Sequence, residues 1–293
     1  MNLFKRQSPS DIAFSIFVYT FIIFIIIVTM YPFVFVASAS ISYTQYLARQ
    51  EIWLYPRGIN FNAYRRVLND PMLLTSYRNT LWQVAVGTTI NLFMTTTLAY
   101  SLSRRNFSGR RFLMMAVVFT MFFSGGMIPT YMIVRSLGLL NTLWALVIPT
   151  AISTWNLIVT RSFFDSVPES YHEAATIDGA GEFRIFSTII LPLSKPILAT
   201  MVLFYAVAHW NSFFNALLYI NREHLFPLQI FLRRILIQYE ASDMMVDVIL
   251  DREAVGLSIR YAAIIISTVP ILCVYPFLQK YFVKGVMIGG IKG

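Results

Sequence analysis

A chain of 293 residues that is 57% hydrophobic, only 13% charged and of mean hydropathy +0.64 is not a soluble globular domain, which would carry roughly twice that charged share. The net charge of +9 comes from basic residues between apolar runs and at their ends, the pattern of membrane topology and not of a nucleic-acid surface. The one cysteine, Cys273, excludes a disulfide framework, and the three scattered histidines exclude a metal site by spacing.

The fold class that follows is all-α, a polytopic membrane protein. Runs of about 20 apolar residues are what a helix needs to cross ~30 Å of hydrocarbon, where backbone groups must bond internally. Six spans are predicted, over residues 12–37, 79–102, 112–135, 142–164, 196–220 and 259–280, within a single domain covering 1–293. The first is uncharged from Ile12 to Ala37 and reads as a retained span, not a cleaved signal. The second carries Gln83, Asn91 and six threonines, so it should pack inside a bundle or line a path. The third is broken by Ser124-Gly125-Gly126 and Pro129; the fourth and sixth contain Pro149, Pro270 and Pro276. Such breaks belong to kinks in a packed bundle or to a transport pathway.

Two long connections, 38–78 and 221–258, are predicted on the outer side. Arg104, Arg105, Arg110 and Arg111 crowd one short loop, Lys5 and Arg6 precede the first span, and Lys280, Lys284 and Lys292 follow the last. With six spans these groups share one side, which places both termini in the cytoplasm.

Residues 165–195 form the most informative connection. Asp165, Glu169, Glu173, Asp178 and Glu182 make an acidic island opposed within the loop by Arg184, with Lys195 at the loop's far end, on a face where head groups favour Lys and Arg. Pro168 suits a helix start, with a short helix over 169–176. Gly179 permits a sharp bend. A second helix over 182–190 would bury Phe183, Phe186 and Ile190, with Pro192 and Pro196 closing it and opening the next span. This helix–bend–helix knob fits either a docking surface or a packed interfacial loop without a partner.

The order of residues is more specific than the charge. Glu173-Ala174-Ala175, three residues, Gly179, nine residues, then Ile189-x-Leu191-Pro192 would coincide by chance on the order of once in 10⁸ windows. The pattern resembles the EAA loop of permease subunits of ATP-binding-cassette importers. The match extends through Asp178-Gly179-Ala180, the Leu191 to Pro196 segment and the tail from Lys280, and it is similar to the carbohydrate-uptake branch, of the maltose-transporter second-permease type. The Ser124 to Tyr131 run and His209-Trp210-Asn211 resemble its oligosaccharide subgroup, with alginate-oligosaccharide importers the nearest likeness.

That resemblance implies a type I importer transmembrane domain in a bacterial plasma (inner) membrane, paired with a homologous sister permease, two ATPase subunits and an extracytoplasmic sugar-binding protein. It implies that Glu173, Ala174, Ala175, Asp178, Gly179 and Phe183 couple the chain to an ATPase cleft. ATP and Mg would be held by the ATPase; this chain lacks a Gly-x4-Gly-Lys-Ser/Thr loop, needs no cofactor and has no catalytic residue of its own.

Candidate path residues are Trp155, Asn156, His209, Trp210, Asn211 and Asn215, since aromatic faces and amides bind sugars; interhelical hydrogen bonding at a subunit interface is the competing and favoured account. Asp243, Asp247 and Asp251 would share one helix face, solvated or touching the binding protein; calcium is disfavoured by the spacing. Arg222, Arg233, Arg234 and Arg252 make the same outer loop basic, which admits a uronate oligosaccharide as cargo. A stand-alone secondary transporter would need coupling carboxylates at mid-membrane and a repeat, and an intramembrane enzyme an embedded catalytic cluster; neither set is present in the sequence.

Overall fold

Every regular element in the computed structural model, which describes residues 9–243 and 250–289, is helical. The chain divides into two units, residues 1–70 with 234–267 and residues 71–233 with 268–293.

In the first unit, α1 (Pro9–Ser40) runs 32 residues with apolar side chains exposed all round, as expected of a helix whose solvent is lipid. Its last turn is tied to the following connection by polar side chains: the Ser38 hydroxyl donates to the Leu54 carbonyl at 2.7 Å, and the Ser40 hydroxyl meets the Tyr64 hydroxyl at 2.7 Å. Two short helices, α2 (Thr44–Ala48) and α3 (Asn62–Leu68), order this connection. Ala39, Leu47 and Ile52 form its small core, with Phe35, Leu257 and Tyr261 packed against them.

The second unit is built on α4 (Pro71–Ser103), 33 residues long. Its inward face is a polar stripe of Ser76, Asn79, Thr80, Gln83, Asn91 and Thr95, all buried. The amide of Asn79 donates to the carbonyls of His224 (2.9 Å) and Phe226 (3.2 Å), and Thr80 Oγ1 accepts from the Leu228 N–H at 2.8 Å. The polarity of the second run is therefore turned into the bundle, as the sequence predicts, with Asn79 and Thr80 bonded and the Gln83 amide left without a partner.

Around α4 the predicted spans are bent rods. α5 (Arg110–Phe122) and α6 (Met127–Ser136) meet at 115°, so the 112–135 span turns back on itself at Phe123–Gly126. Gly126, at φ +84°, takes a backbone conformation that a side chain would resist. The 142–164 span consists of two 3₁₀ turns (Leu143–Leu146 and Ile148–Thr150) followed at 50° by α7 (Thr154–Ser166). After α8 (Ser170–Ile177), α9 (Glu182–Ile185) passes through a π turn, Phe186–Ile190, into α10 (Leu191–Leu193). That run meets α11 (Lys195–Trp210) at 82°. The expected 196–220 span ends at Trp210: residues 211–213 leave the helix, and α12 (Phe214–Tyr219) follows.

The chain continues through a 3₁₀ turn (Glu223–Leu225) to α13 (Leu228–Asp243) and α14 (Leu250–Gly289). Among the described residues, α1 and the Val255–Val274 part of α14 qualify by length and apolarity as single spans, and counting each of the three bent pairs as one span brings the total to five. α4 is long enough to be the sixth, at about 50 Å, but its threonines and amides keep it below the apolarity of a lipid-facing helix.

Candidate functional site

The acidic loop folds against the end of the bundle where α4 and α7 finish. Phe164 at the end of α7, Ala175 on α8, and Ile185, Phe186 and Ile190 beyond it bury themselves with Ala99, Tyr100, Leu102 and Leu157. The Tyr100 and Phe186 rings are 4.9 Å apart. Arg161 donates from Nε to the Leu102 carbonyl at 3.0 Å, satisfying a carbonyl near the end of α4 that no helical turn would take.

α8 ends as its glycine requires. Gly179 has φ +79°; its N–H donates to the Thr176 carbonyl at 3.0 Å and the Ala180 N–H to the Ala175 carbonyl at 2.9 Å, the pair of bonds that closes a helix through a left-handed residue. A Cβ there would meet nothing within 4 Å, so conformation alone selects glycine.

Glu182 joins the two halves of the knob. Its carboxylate accepts from the Tyr100 hydroxyl at 2.6 Å and pairs with His172 Nε2 at 3.0 Å. The Tyr100 hydrogen bond holds the Glu182 carboxyl below its ordinary value, against a smaller opposing effect of burial and with help from His172. Nothing in the sequence marks Tyr100 or His172 as partners of Glu182, 82 and 10 residues away respectively.

Two of the five acidic residues of the island are paired with arginines. Asp165 lies 3.1 Å from Arg161 and 3.5 Å from Arg110, and Glu169 lies 3.7 Å from Arg105. The arginine-rich 103–111 loop and the acidic loop are therefore in contact. Glu173 and Asp178 are exposed and form no ion pair among the described residues.

Two expectations for this loop are corrected. Phe183 does not join the buried face: it is 82% exposed, as Ile177 is at 86%. The π turn carries one residue more per turn than an α-helix, so Phe183 and Ile190 no longer share a face. Ala175 also faces inward, packed in the loop's own core, while Ala174 is on the surface. The outward set is thus Glu173, Ala174, Ile177, Asp178, Gly179 and Phe183, with Ile177 an addition the sequence reading missed.

A second feature lies in the bundle: a cavity of about 390 Å³. Of the six path candidates, Asn156, His209, Asn211 and Asn215 line it, joined by Asn91, Ser153, Tyr205, Ser212, Phe213 and Phe214. Trp155 and Trp210 do not. Trp155 lies one position round α7 and is 58% exposed, while Trp210 is buried edge-on against the Tyr77 ring at 6.4 Å. His209 and Asn215 are brought together by the break after Trp210, not by one helical face.

The cavity wall is held by buried hydrogen bonds. His209 Nε2 donates to Asn91 Oδ1 at 2.6 Å, and the Asn91 amide donates to the Thr150 carbonyl at 2.6 Å. Tyr205 meets Thr95 Oγ1 at 2.7 Å and accepts from the Ser153 N–H at 3.4 Å. Both backbone groups belong to the break before α7, where helix–helix bonding stops; side chains of α4 and α11 supply what the helix cannot. A second, apolar cavity of about 630 Å³ adjoins Asn156 and Asn211, lined by Leu203, Phe204 and Val207 of α11 and Ile271 and Leu272.

Of the predicted binding-protein contacts, Asp247 lies outside the described residues; Asp243 ends α13 and Asp251 is the second residue of α14. Among the described residues no cluster of His, Cys, Asp and Glu could hold a metal ion.

A family model described as "binding-protein-dependent transport system inner membrane component" matches residues 72–288. The chain belongs to this family. Among its relatives, Protein LplC of Bacillus subtilis (strain 168) is 44% identical over 91% of this chain and 90% of its own. The polygalacturonan/rhamnogalacturonan transport system permease protein YtcP of the same organism is 40% identical over 96% and 98%. A solved structure of a bacterial ABC transporter involved in the import of the acidic polysaccharide alginate contains a chain that superposes with a TM-score of 0.84 at 32% identity, covering 95% of this chain and 99% of its own. These confirm the all-helical importer-permease fold. The family match spans both features, the knob at 165–195 and the cavity between α4, α7 and α11.

Proposed function

We propose that the chain is the membrane-spanning permease subunit of an ATP-driven importer of oligosaccharides, and that its cargo is anionic. It works beside a homologous sister permease, receives sugar from an extracytoplasmic binding protein and is driven by two ATPase subunits that hold the ATP and Mg. Both termini lie on the cytoplasmic side of the bacterial inner membrane, where the knob meets the ATPases.

The observation that carries the coupling role is the outward face of the knob. Two unpaired carboxylates, Glu173 and Asp178, flank exposed Ile177 and Phe183, while the inward face is packed on the ends of α4 and α7. An exposed apolar pair rimmed by charge is the composition of a docking surface, and its rigid backing would pass a push from the ATPase into the bundle. Alternating access would then follow from moving spans already broken at three bends. The sugar reading is supported by a cavity rich in amides and aromatic rings, and the uronate reading by the two relatives named for polygalacturonan/rhamnogalacturonan and alginate transport.

Co-purification with the ATPase subunit and ATP-driven uptake test the coupling role, wild type against Glu173→Lys and Gly179→Pro. The expected outcome is loss of the ATPase from the complex, or at least tenfold slower uptake, in both variants. Retention of ATPase and of normal uptake by both would show that the loop is not the coupling element.

A further inference from the structure

Every group on the wall of the 390 Å³ cavity is neutral or apolar; no Asp, Glu, Lys or Arg lines it. A uronate drawn into such a place would lose water around its carboxylate without gaining a counter-charge, at a cost that a neutral sugar does not meet. One cation stands at its edge. The Arg233 guanidinium lies over the Phe213 ring, 5.8 Å from the centroid, and Phe213 is a wall residue that is itself 39% exposed.

We propose that Arg233 is the specificity-determining residue for charge, binding a carboxylate of the cargo as it enters the cavity. The proposal deepens the importer reading and rests on it. Arg233 is exposed and makes no ion pair among the described residues, so its charge is not already spent. A guanidinium held near an aromatic ring is attracted to it without using its N–H groups, which stay available to a ligand. Those groups match a carboxylate with two parallel hydrogen bonds, a geometry that a lysine ammonium cannot provide. The ring also fixes where the charge stands, which lowers the entropy lost on binding. Asn211, Asn215 and the rings of Phe213 and Phe214 remain to hold the hydroxyls and faces of the sugar.

The test uses the complete transporter in proteoliposomes with its binding protein, and two probes: a galacturonate tetrasaccharide and its carboxyl-reduced, neutral counterpart. Wild type imports the acid faster. Arg233→Gln lowers acid uptake about tenfold, leaves the neutral probe at its wild-type rate and so collapses the preference; Arg233→Lys restores part of it. The neutral probe doubles as the control for folding and assembly. A parallel fall with both probes makes Arg233 a packing residue and overturns the proposal, as does no change with either. A wild type that imports only the neutral probe, or neither, instead removes the uronate cargo, and that failure is read before any variant is made.

Discussion

At Gly87 a hydrogen atom stands where any side chain would strike His209: a Cβ built there lies 2.4 Å from the ring Nε2. The close approach lets the imidazole reach Asn91, one turn along α4, and through it the Thr150 carbonyl. Gly87→Ala should therefore cost about 1–3 kcal/mol through overpacking. His209→Ala should cost a similar amount by leaving Asn91 with one buried bond unmade. Because the second substitution removes the atoms that the first one strikes, the double variant should be more stable than the sum of the two losses. Thermal unfolding of the purified complex across the four-member cycle checks this; additive losses would place the strain of Gly87→Ala elsewhere. The sequence exposes Asn91 and His209 as unusual residues in apolar runs, yet they are 118 positions apart. No periodicity within one helix could pair them.

The knob from α8 to the π turn shows what a local pattern can and cannot convey. Its spacing of Glu173, Ala174, Ala175 and Gly179 gives the first helix and its bend correctly, because a left-handed glycine at a helix end leaves a signature in sequence. The direction of Phe183 was not legible, because the π turn that rotates it has no such signature. The staple at Glu182 was equally hidden, resting on a tyrosine in a different helix. This staple carries a pH dependence. The folded carboxyl is held below its ordinary value of 4.5, so the unfolded chain binds a proton more readily. The stabilisation is complete above the ordinary carboxylate range and is lost as the pH falls below about 4.5 through the folded value. Wild type should thus be more stable than Glu182→Gln at pH 7, and the gap between their melting temperatures should close as the pH falls below 4.5. Tyr100→Phe, which removes the largest cause of the shift, should flatten the wild-type pH profile. A gap that persists unchanged into acid would mean that the carboxylate form is not what the staple needs.

Across the whole molecule the breaks in the spans raise one demand, that something other than lipid must cover them. The break before α7 is met from within, by Asn91 and Tyr205. The elbow between α5 and α6 is not: Met121 to Thr130 are all exposed, and the bonds at the turn are local ones, from the Phe123 N–H to the Phe119 carbonyl, from the Gly126 N–H to Ser124 Oγ, and from the Thr130 N–H and hydroxyl to the Gly126 carbonyl. Non-helical backbone at membrane depth is tolerated only against protein or water. This elbow should therefore face the sister permease or a water-filled path, whereas α1, apolar and largely exposed up to its buried last turn, should face lipid. Single cysteines in a Cys273→Ser background separate the two surfaces, since a maleimide reacts with a thiolate and thiols ionise only where water reaches them. Ser124→Cys should label readily with a membrane-impermeant maleimide in the chain purified alone and at least several-fold more slowly in the assembled transporter. Phe24→Cys, in the middle of α1, should stay unreactive in both. Equal protection of the two positions in the isolated chain would put the elbow in lipid after all. Its open backbone groups would then have to be satisfied by a rearrangement of α5 and α6 into one continuous helix, which Gly125, Gly126 and Pro129 make costly.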